Sequence, residues 1–335
     1  MKKSRLILMM LGVGLTGFVF SGPLYPSACA AKKHTLSMVT FLPANFVSML
    51  YVGKFRDKIN ERSKGELFID WKGAAEVIPM MDQPEAVRKG VVDIVVAPTA
   101  WSESRIPQAT ILQLSERTPT EERQVGFHDW LNKKIQKGLN SYYLGRVRSN
   151  AYFYTFVNKE VKRPMDLANK KMGVTPLYLP FAKALGTAQV SIPEPEFFTA
   201  LQSGLIDGFF LSAQATLDYR LPEVCKYMIN HGWYGANNVV LYVNLDAWNK
   251  LPDQLKKLMN DTMIETEPEM AAGFLDLDKK AVKGLLEAGM KEIKFSPEDE
   301  GWYLKKASEL WWEKTKTMVT AQEYGELRKF LLKKP

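Results

Sequence analysis

Apolar residues recur along the chain with two periods in turn, strand-like and helix-like, and that alternation predicts an α/β fold. Leu36 and Met38, with Phe41 beyond them, share one face of a strand over residues 34–41, and Pro43 then turns the chain. Phe46, Leu50, Phe55 and Ile59 follow at roughly helical spacing over 45–62, with Lys64-Gly65 as the stop. A strand over 67–71 leads to Gly73, a helix over 81–89 ends at Gly90, and Val91-Val92-Asp93-Ile94-Val95-Val96-Ala97 comes next. So short and apolar a run, capped by Pro98, reads as a strand buried on both faces, the kind found in open sheets covered by helices.

The same grammar resumes downstream. It predicts a helix over 120–139, strands over 142–147, 152–158 and 170–174, helices over 178–185 and 197–202, and a strand over 206–211. A strand over 239–244 would cross back to the first half. From Asp253 apolar positions keep helical spacing from Leu255 to Leu286, with Pro268 inside and Gly289 at the close, as one long helix or a kinked pair. The resulting division is lobe I over 31–149, lobe II over 150–237, a crossing strand within 238–252, a connecting helix over 253–293 and C-terminal helices over 294–335.

Composition changes this picture mainly at the N-terminus. Lys2, Lys3 and Arg5 precede a mostly apolar stretch to Phe20, then Gly22, Pro23 and Pro26 lead to Ala28-Cys29-Ala30. That is the layout of a secretory signal peptide cleaved after Ala30, which predicts a periplasmic protein. The competing reading, a lipid anchor on Cys29, puts Pro26 where Leu or Val is usual. Loss of the leader removes three of the 45 Lys and Arg and no acid, so the formal charge falls from +8 to +5. The basic residues are interleaved with acids, which argues against nucleic acid as a partner. Cys225 is then the one remaining thiol, so no internal disulfide can form and the hydrophobic core must hold the fold.

Catalytic patterns are missing. His34, His128 and His231 are the three histidines and none stands near a second ligand at metal spacing. No glycine-rich phosphate loop follows a strand, no nucleophile elbow is present, and nothing calls for a cofactor. An α/β chain of about three hundred residues without such a constellation points to two domains and to binding, not to an enzyme.

Several strings, in order and at matching spacing, resemble one family. They are Phe55-Arg56-Asp57-Lys58-Ile59-Asn60-Glu61-Arg62-Ser63-Lys64-Gly65, then Gly73, Glu85-Ala86-Val87-Arg88-Lys89-Gly90-Val91-Val92-Asp93-Ile94, Pro164-Met165-Asp166-Leu167 with Lys171-Met172-Gly173-Val174, Thr199-Ala200-Leu201-Gln202-Ser203-Gly204-Leu205-Ile206-Asp207-Gly208, and Ala247-Trp248-Asn249-Lys250-Leu251-Pro252. The chain is similar to the solute-binding subunits of tripartite ATP-independent periplasmic (TRAP) transporters, of the dicarboxylate-binding type. The resemblance implies a fold of the periplasmic-binding-protein type II kind: two α/β lobes joined by hinge strands and a long connecting helix, closing over a small-molecule solute. It also implies delivery to a small and a large membrane subunit driven by an ion gradient.

Departures from the family pattern fall where it grips its ligand. Gly173 stands where the family carries an Arg that pairs with a ligand carboxylate, and Phe153 stands where some members carry a second Arg. Phe210-Leu211-Ser212 replaces Glu-Asn-Pro. The expected pocket is therefore lined by Tyr152, Phe153, Tyr178 and Phe210 from lobe II and by Phe41, Asn45 and Trp101 from lobe I, with Gln214 and Trp233 at the margin. Such a wall favours an apolar or aromatic solute, and an acidic one would need another base, Arg148 or Arg105. Rival readings are a binding protein for an ATP-driven importer, a ligand-presenting sensor accessory, and a periplasmic enzyme on the same scaffold.

Overall fold

The computed structural model describes residues 33–333, so the leader and Cys29 lie outside the described residues. In chain order the first half holds β1 (His34–Thr40), α1 (Leu50–Arg62), β2 (Leu67–Gly73), α2 (Gln83–Arg88), β3 (Ile94–Pro98), α3 (Pro119–Gln124), α4 (Phe127–Leu139) and β4 (Ser141–Arg146). The second holds β5 (Phe153–Val157), β6 (Lys171–Val174), α5 (Leu179–Ala184), β7 (Ala188–Ser191), α6 (Phe197–Gln202), β8 (Gly208–Ser212), α7 (Ala213–Asp218) and β9 (Tyr227–Trp233). Then come β10 (Val239–Asn244), α8 (Leu245–Asn249), α9 (Asp253–Glu287), β11 (Lys291–Ile293), α10 (Pro297–Met318) and α11 (Ala321–Leu331).

These strands form two sheets, ordered β2-β1-β3-β10-β4 and β11-β9-β5-β8-β6-β7. In the first, β1 runs parallel to both β2 and β3, and β10 lies antiparallel between β3 and β4. In the second, β6 is parallel to β7 and β8, while β5 is antiparallel to β8 and β9. The chain leaves the first sheet after β4 and re-enters it at β10, so two short segments, 147–152 and 234–238, connect the halves.

Helix α9 spans both. Its Leu255, Met259, Met263, Met270 and Phe274 belong to the core under the first sheet, and its Ala281 and Leu285 to the core under the second. It is one continuous helix with Pro268 inside. The carbonyl that Pro268 leaves without its donor is that of Ile264, on the exposed face of the helix. By contrast, the single helix expected over 120–139 is two. Gly126, at φ 80°, takes a left-handed conformation that a helix cannot continue through, and α4 starts after it.

Gly208 explains one residue of the motif that ends in Asp207-Gly208. A Cβ there would lie 2.2 Å from the carbonyl oxygen of Phe156 on the neighbouring strand β5. Gly208→Ala is expected to lower unfolding stability by at least about 2 kcal/mol, because backbone on a paired strand cannot yield as a side chain can. Urea denaturation checks this; an unchanged midpoint would contradict it.

Candidate functional site

Between the two sheets lies a narrow cavity, closed down in this structure to little more than the space of a water molecule. Its walls come from chain at or just past the carboxyl ends of parallel strands: Phe41 and Leu42 after β1, Pro98 at the end of β3 with Trp101 after it, and Thr175, Leu177 and Tyr178 after β6. At β8 the lining includes Leu211 and Ser212, with Ala215 in the helix that follows. Open α/β sheets place ligands at these ends, where loops of one lobe meet loops of the other. The two connecting segments add Arg148 and Asn238.

Most of the wall is apolar and aromatic. Phe41 and Trp101 meet edge to face with centroids 5.7 Å apart on one side. On the other, Phe153 packs edge to face on Tyr178 at 5.4 Å and tilted on Trp233 at 5.7 Å. Phe210 lies behind this layer, its ring 6.0 Å from Tyr178 and 5.9 Å from Trp233. Phe210 and Trp233 therefore back the cavity instead of lining it.

Arg148 is the cation of this lining. Its residue is 2 % exposed, and among the described residues Nε and Nη2 have no hydrogen-bond partner. Its guanidinium lies 5.4 Å from the ring centre of Phe274 of α9, a weak substitute for lost hydration. Burial works against its charge, so its pKa is lowered, with Tyr178, Glu194, Asp278 and Asp218 pulling the other way. A buried guanidinium with unused donors is costly unless an anion supplies what water no longer does. Arg105, the other candidate base, is paired with Glu85 at 2.9 Å and is no part of the wall.

Glu194 also lines the cavity, and Tyr178 donates to its Oε1 across 3.3 Å. Burial pushes its carboxyl up to about 7, against the hydrogen bond from Tyr178 and the charge of Arg148. Asp218 and Asp278 are raised to about 6, again chiefly by burial and again with Arg148 opposing. One cation thus stands among three acids that are all reluctant to ionise.

The residues expected from sequence divide as follows. Phe41, Trp101, Arg148, Phe153 and Tyr178 are brought together on the cavity wall. Asn45 is exposed in the turn before α1, outside the wall. Tyr152 turns to the other side of β5, where it packs against Gly232 and Gly235 and lines a polar groove with Arg117 and Arg146. Gln214 is buried, its amide atoms without a hydrogen-bond partner among the described residues, in a separate pocket with Asp218 and Lys280. Gly173 is not on the wall; a Cβ there would lie 3.0 Å from both Phe197 and Ile206, so the core of the second half fills the space. Glu194 and Asn238 were not foreseen, since Pro193-Glu194-Pro195-Glu196 reads as an exposed acidic loop.

The halves also touch away from the cavity. Phe46, just before α1, meets Tyr219 at the end of α7 edge to face at 5.1 Å, and the backbone amides of Val47 and Ser48 favour a charged Asp218. Phe46→Ala is expected to weaken ligand binding about three- to tenfold, because this contact exists only when the halves meet. Calorimetric titration with benzoate and small-angle scattering check it; unchanged affinity and dimensions would contradict it.

The sequence profile of DctP, bacterial extracellular solute-binding protein family 7, matches residues 38–317. A monocarboxylate 2-oxoacid-binding periplasmic protein of a Nostoc species is 22 % identical over 271 residues, covering 78 % of this chain and 74 % of that one. Among solved structures, a TRAP periplasmic solute-binding protein of Desulfovibrio salexigens with bound orotic acid superposes with a TM-score of 0.79 at 20 % identity, covering 90 % of this chain and all of that one. An extracytoplasmic solute receptor of Bordetella pertussis binding pyroglutamic acid gives 0.76 at 15 % identity, covering 88 % and 99 %.

Proposed function

Because the chain belongs to the DctP family, the bacterial extracellular solute-binding proteins of family 7, we propose that it captures a small organic monocarboxylate, with an aromatic or apolar body, for a TRAP transporter. The observation that carries this reading is Arg148, a buried guanidinium on the wall of an aromatic cavity, whose Nε and Nη2 have no hydrogen-bond partner among the described residues. One cation in the lining matches one carboxylate; a second would be left in a nearly apolar wall beside Glu194. The named ligands of the Nostoc, Desulfovibrio and Bordetella proteins, a 2-oxoacid, orotic acid and pyroglutamic acid, are all organic acids, in keeping with this class.

Capture proceeds by population shift. A solute touching Phe41 and Trp101 on one side and Arg148 and Tyr178 on the other makes both sets of contacts only when the halves are together, so it favours that state. The closed protein would then present its cargo to a small and a large membrane subunit outside the cytoplasm. No helix among the described residues is long and apolar enough to cross a membrane itself. Thermal-shift screening tests the ligand class: benzoate, phenylpyruvate and pyroglutamate should raise the melting temperature, and benzamide and succinate should not. Stabilisation by succinate alone would overturn the reading.

A further inference from the structure

Glu194 shares the cavity with Arg148 but forms no ion pair with it among the described residues. We infer that Glu194 binds the solute as a neutral carboxylic acid, donating a hydrogen bond to the carboxylate that Arg148 holds, so that capture takes up one proton from solvent. This deepens the proposed function and rests on it.

Charge in a closed space sets the protonation of Glu194. With Glu194 ionised, Arg148 already faces a counter-charge, and an incoming anion would leave two carboxylates against one guanidinium. With Glu194 neutral, one cation meets one anion, and the acid O–H is a donor within the same cavity. Carboxylates that share a site cannot both ionise cheaply, and the proton goes to the more buried of them. The groups whose charge or hydrogen bonding reaches Glu194 are few: Tyr178 from the start of α5, Arg148 from the connecting segment, and Tyr219 at the end of α7. Tyr178 donates to Oε1 in either protonation state and leaves the other oxygen to carry the proton.

The direction of the pH effect follows. Burial has already raised Glu194 to about 7, with Arg148 pulling it down. An anion on Arg148 cancels that pull, so the acid's pKa is higher in the complex than in the free protein. Below about pH 7 the free protein carries the proton already and affinity is flat. Above it each binding event must collect a proton, and the Kd rises by up to about tenfold per pH unit.

Titration calorimetry with benzoate, which stays ionised throughout, from pH 6 to 8.5 in two buffers of different ionisation enthalpy, tests this. The wild type should show the rising Kd and uptake of approaching one proton at the alkaline end. Glu194→Gln, whose amide donates without titrating, should show a flat profile and no proton exchange above about pH 7.5, where Asp218 and Asp278 are ionised throughout, and tighter binding than wild type at pH 8.5, by about tenfold. Benzoate binding that is independent of pH and buffer would overturn the inference and leave the proposed function standing; no benzoate binding at any pH would sink both. Should the variant not fold, a carbon-13 NMR titration of Glu194 in the free wild type decides: a midpoint near 7 supports the inference, and one in the ordinary carboxylate range overturns it.

Discussion

Arg148→Met should lose acid binding and keep the fold. The Kd for benzoate is expected to rise at least about thirtyfold, the lower end of the 2–5 kcal/mol that removing one partner of a buried charged pair costs. Methionine retains much of the apolar stem and can keep packing near Phe274, while the unpartnered donors disappear. A buried charge without a partner is a burden in the unliganded protein, so its removal should not lower the melting temperature. Arg148→Lys should not restore binding, since an ammonium on a flexible stem cannot reproduce the planar fork at the same place. Calorimetry and circular dichroism on the same preparations separate the two effects. Binding within threefold of wild type would contradict the assignment.

The second large effect concerns Gly173. Returning the family's arginine with Gly173→Arg is expected to cost at least about 3 kcal/mol of stability and to bring no gain in binding of diacids. At 3.0 Å from a Cβ on Gly173, Phe197 and Ile206 already occupy the route the side chain would follow, and both are buried in the core around β8. A guanidinium forced there would be overpacked and without an acceptor. Urea denaturation and succinate titration check the two halves of the statement. A stable variant that binds succinate tightly would show that the space is open after all.

The α/β alternation was legible because β1 alternates apolar and polar residues, β3, β5, β8 and β10 are short and mostly apolar, and the covering helices end near Gly65, Gly90 and Gly204. Strand β9 was not. Its Asn230, His231 and Gly232 break the apolar run, and the strand is recognisable only through its partners β5 and β11. Register decided the site in the same way. Phe153 faces the cavity, so its neighbour Tyr152 must face away, because adjacent strand residues point to opposite sides. On α7, Ala215 lines the cavity and Gln214, a third of a turn behind it, looks into another pocket. Which member of each pair reaches the ligand depends on how the sheets meet, and the residue types alone do not carry that. Glu194 was invisible for a related reason: it is buried beside Tyr178 on the cavity wall, which its own acidic, proline-rich segment does not announce.

A crystal structure of the complex with benzoate is the decisive measurement. The carboxylate should lie within about 3.2 Å of Arg148 Nε or Nη2, with the ring between Phe41, Trp101, Phe153 and Tyr178. A ligand seated instead in the polar groove beside Arg146 and Tyr152, or with its carboxylate turned from Arg148, would contradict it.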